Sequence, residues 1–211
     1  MKKLFGKNYF EGKRAPFKIL GNYEEKMKLF KNWQPVIKLL KEYRTSGDLL
    51  DVGCAYGHLL NAARNDFNVH GVDISEFAIK RAKQKFNLKN VKQGNVQERI
   101  PFNKKFDVIT AIDVIEHLNN PVKALNNIYS KLKKQGLFIV ELPTVNNFIS
   151  RIINKFFYPD DTHIFIPSLD KFNDIITSIG FKKLGTTNRF LKVKNEFIIK
   201  SLCLVTEVFE K

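Results

Sequence analysis

The sequence predicts an α/β fold, a seven-stranded, mostly parallel sheet with helices on both faces and an antiparallel terminal hairpin. Three observations predict it. Short apolar runs alternate with amphipathic stretches of helical period between Asp48 and Ile179. The run Leu49-Leu50-Asp51-Val52 ends in a turn bracketed by Gly53 and Gly57, which carries a buried strand into a helix. Two extended segments, 181–191 and 197–209, finish the chain with no helical pattern between them.

Taken in order, residues 1–21 (MKKLFGKNYFEGKRAPFKILG) are basic, aromatic and punctuated by Gly and Pro, so an irregular arm is expected. Its Tyr9, Phe10 and Arg14, with Tyr23, either close over a cofactor or belong to a tail. From Asn22 to Arg44, Met27, Phe30, Trp33, Val36, Ile37 and Leu40 recur at three- and four-residue steps, an amphipathic helix with Pro35 as its bend. Strand one is 48–52, followed by a helix over 58–66 and a second strand over 69–73. Ser75 caps a helix running to Phe86. Strands follow at 91–93, 106–112 and 136–142, with a helix over 121–133 between the last two. The segment 146–158 reads as an amphipathic helix, either a lid over a lipophilic acceptor near the membrane surface or a buried face. A last helix spans 168–179. No repeat or linker divides the chain, so it is expected to be one domain over 1–211. An arm and helix (1–45) would precede a core (48–211) that carries the inserted helix near 146–158.

Composition narrows the class. With 44% hydrophobic and 12% aromatic residues in 211, the chain can bury a full core, which excludes global disorder. No apolar run reaches membrane-span length, and Met1-Lys2-Lys3-Leu4 opens no signal-peptide pattern. Cys54 and Cys203 have no metal-site spacing, so a reduced, cytoplasmic protein is expected. The net charge of +15 leaves nucleic acid or an anionic membrane open as partners. Lys outnumbers Arg and the lysines are scattered rather than blocked, which does not favour a nucleic-acid face.

The glycine turn constrains the ligand. Open α/β sheets bind ligands beyond the carboxyl ends of their strands, where the Gly53 turn lies. Gly53-Cys54-Ala55-Tyr56-Gly57-His58 does not match the three-glycine dinucleotide fingerprint. Asp51, beside the turn, would repel a pyrophosphate and attract an ammonium group. A cofactor with a positive head and no phosphate is favoured, and S-adenosylmethionine has that chemistry. Asp73 ends the second strand, where a carboxylate can accept ribose hydroxyls, and Asn95 follows the third, where an amide can meet adenine. An Asp before a helix also caps it, and an Asn after Gly also turns the chain. Three such residues on one rim favour the cofactor.

These residues carry a family resemblance. Leu49-Leu50-Asp51-Val52-Gly53-Cys54-Ala55-Tyr56-Gly57 resembles the first motif of class I S-adenosylmethionine-dependent methyltransferases, and Gly71-Val72-Asp73-Ile74-Ser75 the second. Phe106-Asp107-Val108-Ile109 through Asp113-Val114-Ile115-Glu116-His117-Leu118 is similar to the fourth-strand motif, and Lys133-Lys134-Gln135-Gly136-Leu137 lies where the family often has a proline and paired glycines. The resemblance covers about 48–209 and implies a Rossmann-like fold whose seventh strand is antiparallel. Together with the residue chemistry it assigns Asp51, Gly53, Cys54, Ala55, Gly57, Asp73, Ile74, Asn95, Val96 and Asp113 to the cofactor. Ala55 stands where the family often has glycine, and Asn95 replaces the commoner aspartate.

Methyl transfer to oxygen or nitrogen also asks for a base. Glu141-Leu142-Pro143-Thr144 through His163 and Phe165 is similar to ubiquinone-pathway-like O-methyltransferases, which makes His163 the first candidate and His117 the second. Each has a structural alternative, His163 as a packed residue under the lid and His117 as a cap. Asp113, Glu116, His117 and His163 also resemble the divalent-metal set of small-RNA 3′-end 2′-O-methyltransferases, but no metal is assigned. The expected function is methyl transfer to a small-molecule acceptor, at a hydroxyl oxygen. The alternatives are an RNA methyltransferase and a non-enzymatic protein that keeps the fold. The sequence is silent on oligomeric state.

Overall fold

Seven strands form one sheet in the order β3-β2-β1-β4-β5-β7-β6. They are β1 (Gly47–Val52), β2 (Phe67–Asp73), β3 (Val91–Gln93), β4 (Phe106–Ile112), β5 (Leu132–Pro143), β6 (Lys182–Thr187) and β7 (Leu204–Glu210). This computed structural model describes residues 4–12, 22–29, 33–148, 150–152, 162–187 and 204–211. β1 to β5 pair in parallel, while β7 lies antiparallel between β5 and β6, the hairpin and position the sequence predicts.

Period-two alternation splits the core in two. Leu50, Ile109, Phe138 and Phe209 face one side, under α6 (Pro121–Lys131) and α7 (Leu169–Ile179). Leu49, Val108, Ile139 and Val208 face the other, under α3 (Gln34–Tyr43), α4 (His58–Ala63) and α5 (Glu76–Phe86). Both faces are covered, as parallel strands require. Ser75 and Ser168 cap α5 and α7 by accepting from Ala78 N and Lys171 N. Among the described residues, no helix is long and apolar enough to cross a membrane.

The strand order reverses between β1 and β4, which opens a crevice at their carboxyl ends. At the opposite ends, Asp48 and Asp107 join a charged network. Asp48 N donates to Asp107 Oδ2 at 2.9 Å, Lys133 reaches Asp107 at 2.7 Å and Lys104 reaches Asp48 at 2.7 Å.

Several elements depart from expectation. The span 22–44 holds two helices, α2 (Tyr23–Leu29) and α3, rather than one. Pro35 sits in the first turn of α3, where its missing N–H costs nothing, so it starts a helix instead of bending one. The arm is not irregular throughout, since Lys7–Phe10 forms a short helix, α1. α6 ends two residues early and β5 begins at Leu132, with Gln135 at φ +56° in the connecting irregularity. Of the expected helix over 146–158, residues 148 and 150–152 are helical, and 149 and 153–158 lie outside the described residues. Arg14, Phe30 and Cys203 lie outside them too.

Candidate functional site

Asp51, the penultimate residue of β1, pairs in register with Thr110 of β4, whose hydroxyl donates to Asp51 Oδ1 at 2.8 Å. Burial pushes the Asp51 carboxyl up to about 7; the Thr110 hydrogen bond works against this, and the charge of Asp73 adds to it. Asp73 closes β2 and accepts from Ala55 N at 2.9 Å and Ser75 N at 2.8 Å. Burial raises it to about 6, with those two backbone donors opposing. A single carboxylate therefore ties the glycine turn to the next strand end.

The turn is shaped by what stands behind it. Gly53 N and Cys54 N donate to Val72 O at 2.7 and 3.1 Å, and Gly57 N to Cys54 O at 2.8 Å. Gly53 has φ +74°, and a Cβ there would lie 2.3 Å from Val114 Cγ2. Gly57 has φ +79° and would meet Leu88 Cδ1 at the same distance. Both positions need glycine for conformation, and at Gly53 the stiff β-branched Val114 also denies the space, whereas at Gly57 it is the mobile end of Leu88 that would have to give. Ala55, at φ +45°, holds the left-handed region with a side chain, which explains the glycine that the family often places there. Cys54 shares the turn through its backbone. Its thiol packs into the core, where a Cβ on Gly71 would come within 2.7 Å of Sγ.

Beyond β3, the Asn95 amide is engaged locally. Its Oδ1 accepts from Gln97 N at 3.1 Å and its Nδ2 donates to Glu98 Oε1 at 2.9 Å. The turn-forming alternative is thus realised there. Val96 is a core residue whose carbonyl accepts from Asn127. Ile74 packs, partly buried, against an aromatic cluster around Tyr56. Asp113, exposed at φ +54°, donates its N–H to Glu141 O at 3.1 Å.

The fold brings His117 and His163 together from segments far apart in sequence, with ring centroids 4.9 Å apart. His117 ends a 3-10 turn over Ile115–His117. The Glu116 carbonyl accepts from Ile164 N and Phe165 N, both at 2.9 Å, which binds the strap containing His163 to that turn. His117 Nδ1 lies 3.1 Å from Thr162 O and 3.0 Å from its hydroxyl. The carbonyl only accepts, so a hydrogen bond to it needs the proton on Nδ1 and leaves the lone pair of the neutral ring on Nε2, whereas the hydroxyl can serve either tautomer. One ligand atom each from Glu116, His117 and His163 lie within 4.8 Å of one another, a donor set that suits a divalent cation. Asp113 is outside that group.

Sequence reasoning missed Thr110 and Thr162. Thr110 had a signal, being the one polar residue within the apolar run Val108–Ile112. Thr162 had none, because only the tertiary fold brings it to His117.

Two buried carboxylates beside a turn stripped of side chains at Gly53 and Gly57 fit a ligand with a cationic head and ribose hydroxyls. The comparisons with known proteins agree. A family model described as "Methyltransferase domain" matches residues 23–185. A ubiquinone biosynthesis O-methyltransferase of Rickettsia akari is 32% identical over 103 residues, 47% of this chain and 40% of that protein. The chain therefore spans less than half the length of that relative. A tRNA U34 carboxymethyltransferase of Campylobacter jejuni is 26% identical over 185 residues, 81% of this chain and 62% of that protein. A crystal structure of an S-adenosylmethionine-dependent methyltransferase from Clostridium acetobutylicum superposes with TM-score 0.71 at 16% identity, covering 89% of this chain and 96% of that one. Strand order, turn and family match converge: the chain belongs to the methyltransferase-domain family of class I S-adenosylmethionine-dependent methyltransferases.

Proposed function

We propose that this chain binds S-adenosylmethionine at the β1–β2 rim and methylates a hydroxyl oxygen of a small acceptor with an apolar body. The observation that carries the cofactor half is the pair of buried carboxylates, Asp51 and Asp73, flanking the Gly53–Gly57 turn. Asp51 would face the methionine ammonium, Asp73 the ribose hydroxyls, and the turn backbone would lie against the methionine end. Cys54, Ala55 and Ile74 complete that wall, and Asn95, Val96 and Asp113 border it from the next strand ends. When bound, the cofactor supplies an electrophilic methyl group, whose C–S bonding pair stays on sulfur as the acceptor oxygen forms the new bond.

The histidines handle the acceptor proton. With Nδ1–H held by Thr162, His117 keeps its basic lone pair on Nε2, and the His163 ring stands beside it. Either ring can take the hydroxyl proton as the oxygen attacks, and Thr162 holds the His117 ring in place for it. Phe148 and Ile152, on the segment after β5, and Ile164, next to His163, are 74%, 41% and 56% exposed, with Arg151 exposed on the same segment as the first two. That surface supports an acceptor with a lipophilic part, delivered at the membrane surface. The likeness to an enzyme named for ubiquinone biosynthesis supports the same class.

An RNA acceptor is the second reading, favoured by the net charge of +15 and by the likeness to a tRNA-modifying enzyme. The test is methyl transfer from labelled S-adenosylmethionine to alkyl-substituted catechols and phenols, with bulk tRNA alongside, in wild type, His117→Gln and His163→Gln. Transfer to a phenolic oxygen that falls at least 100-fold in His117→Gln supports the proposal. Transfer to tRNA alone moves the RNA reading ahead, and full activity in both variants removes the histidines from the mechanism. Chelation followed by Mn²⁺ or Mg²⁺ addition decides whether Glu116, His117 and His163 act through a cation.

A further inference from the structure

The lysines are scattered along the sequence and gathered in the fold. At the end of the sheet where the parallel strands begin, Arg44 lies just before β1, and Lys104 and Lys105 just before β4. Lys133 and Lys134 open β5, and Lys182 opens β6. β4, β5, β7 and β6 are successive neighbours, and Glu210 of β7 pairs in register with both Lys182 and Leu137 of β5. From β4 to β6 the group spans three strand spacings, about 14 Å. The crevice end carries Asp51, Asp73, Asp113 and Glu116 instead, and lies about 20 Å away, the length of β4.

Part of this charge has a structural use. Asp48 holds Lys104 at 2.7 Å, and Asp107 holds Lys133 at 2.7 Å and Arg44 at 3.6 Å. Lys211 donates to Tyr129 O in the last turn of α6 at 2.7 Å, where a helix favours a cation. Lys105, Lys134 and Lys182 do none of this. All three are exposed, and among the described residues they enter no ion pair. Partial burial, with the charge of Lys105 adding to it, lowers the pKa of Lys211, so these two ammonium groups share one field. Gathering like charges costs self-repulsion, which an anionic partner relieves.

The surroundings of the lysines narrow that partner. A membrane surface asks for apolar side chains beside the charges, and the exposed Phe148 and Ile152 follow β5 at the other end of the sheet. Unpaired bases ask for rings to stack on, and among the described residues Tyr43 is the one exposed aromatic at this end. A row of lysines with neither suits an evenly charged backbone, which a nucleic-acid duplex presents at roughly one phosphate per 1.7 Å of axis. We propose that this end of the sheet docks on the phosphate backbone of a nucleic-acid duplex through Lys105, Lys134 and Lys182, with the crevice facing away from it. The ammonium groups release counterions from the backbone and read no base sequence. The surface is the same whichever acceptor the crevice takes.

The test is fluorescence anisotropy of a labelled RNA duplex of about 20 base pairs, titrated with the protein at several salt concentrations. Wild type is compared with the triple variant Lys105→Gln, Lys134→Gln, Lys182→Gln. A control of equal charge, Lys80→Gln, Lys123→Gln, Lys171→Gln, removes lysines exposed on α5, α6 and α7. Wild-type binding is expected to weaken steeply with salt. At about 50 mM salt the first variant should bind at least tenfold more weakly, with a salt slope smaller by about 3, and the control no more than about twofold more weakly. A second duplex of unrelated sequence should bind wild type within about twofold of the first. Slower acetylation of Lys105, Lys134 and Lys182 in the wild-type complex, read by mass spectrometry, gives the same answer if a variant does not fold. S-adenosylhomocysteine affinity should be the same in all three proteins, so a failure at the crevice stays separate from a failure here. No wild-type binding at about 50 mM salt, or a loss in the control as large as in the first variant, overturns the proposal. Tighter binding to phosphatidylserine vesicles than to the duplex also overturns it and makes a membrane the partner.

Discussion

The Thr110 hydroxyl on β4 donates to Asp51 on β1 at 2.8 Å, across the strand pair where the sheet order reverses. This bond aims a carboxylate at the crevice while the core around it resists ionisation. Burial leaves Asp51 near 7 and Asp73 near 6, so both are partly protonated at the pH where a cationic ligand needs them charged. Binding an ammonium group lowers the Asp51 value and expels its proton. S-adenosylhomocysteine binding at pH 7 is therefore expected to release about half a proton, and affinity should rise by up to about tenfold per pH unit below 7, then level off above 8. Calorimetry in buffers of different ionisation enthalpy measures the release. An affinity flat from pH 5.5 to 8 would contradict the assignment of Asp51.

The same carboxyls predict the pH profile of stability without ligand. The folded values of Asp51 and Asp73 lie above the reference 3.8, so their contribution is full below that pH and is lost as pH rises through about 6 and 7. Asp48 and Asp107 run the other way. Partial burial opposes ionisation, but Lys104 and Asn68 at Asp48, and Lys133 and the Asp48 N–H at Asp107, outweigh it and hold both below 3.8. Their contribution is present above 3.8 and lost as pH falls through the lowered values. From these four groups, ligand-free melting should peak at about pH 4–6, and saturating S-adenosylhomocysteine should move the peak toward neutrality. A ligand-free peak above pH 7 would show that the buried carboxyls cost nothing.

Gly53→Ala drives a Cβ to within 2.3 Å of Val114 and forces alanine to φ +74°. The expected loss is about 1–3 kcal/mol in denaturant unfolding, with weaker ligand binding because the turn must shift. Adding Val114→Ala removes the overlap but not the dihedral strain, so it should recover part of the loss. Wild-type stability and affinity in Gly53→Ala would contradict this account of the turn.

Much of this was legible because it is local. The Leu49–Val52 run, the Gly53 and Gly57 pair, the Ser75 cap, the helix start near Ser168 and the strand ends at Asp73 and Gln93 are short-range signals. The arm was not legible, since a four-residue helix has no independent stability and Phe5, Tyr9 and Phe10 are ordered by tertiary contacts with Tyr56 and His117. Pro35 was ambiguous because the same ring bends a helix interior and starts a helix. His117 and His163 were candidates by type, yet their pairing needs the bonds from Ile164 N and Phe165 N to Glu116 O, which no pattern announces. Asn95 was read toward adenine, and its amide bonds Gln97 and Glu98 within the turn, two roles that share the same local sequence.

The Thr162 anchor sets an expectation for His117. Its neutral ring should be the Nδ1–H tautomer, visible in ¹⁵N-edited spectra as a protonated Nδ1 and a lone-pair Nε2. In Thr162→Val the carbonyl remains and the hydroxyl is lost, so the tautomer should persist with a smaller excess. An Nε2–H tautomer in wild type would remove His117 as an oriented base.

The most direct test of the central claim is calorimetric titration of S-adenosylhomocysteine into wild type and Asp73→Asn at pH 8, with NAD as control. Wild type should bind S-adenosylhomocysteine, and NAD should not bind with comparable strength. Asp73→Asn should weaken binding by about 1.5–3 kcal/mol, some 10- to 150-fold, as expected for hydrogen bonds to a charged group. Equal affinities in the two proteins, or NAD binding more tightly, would contradict it.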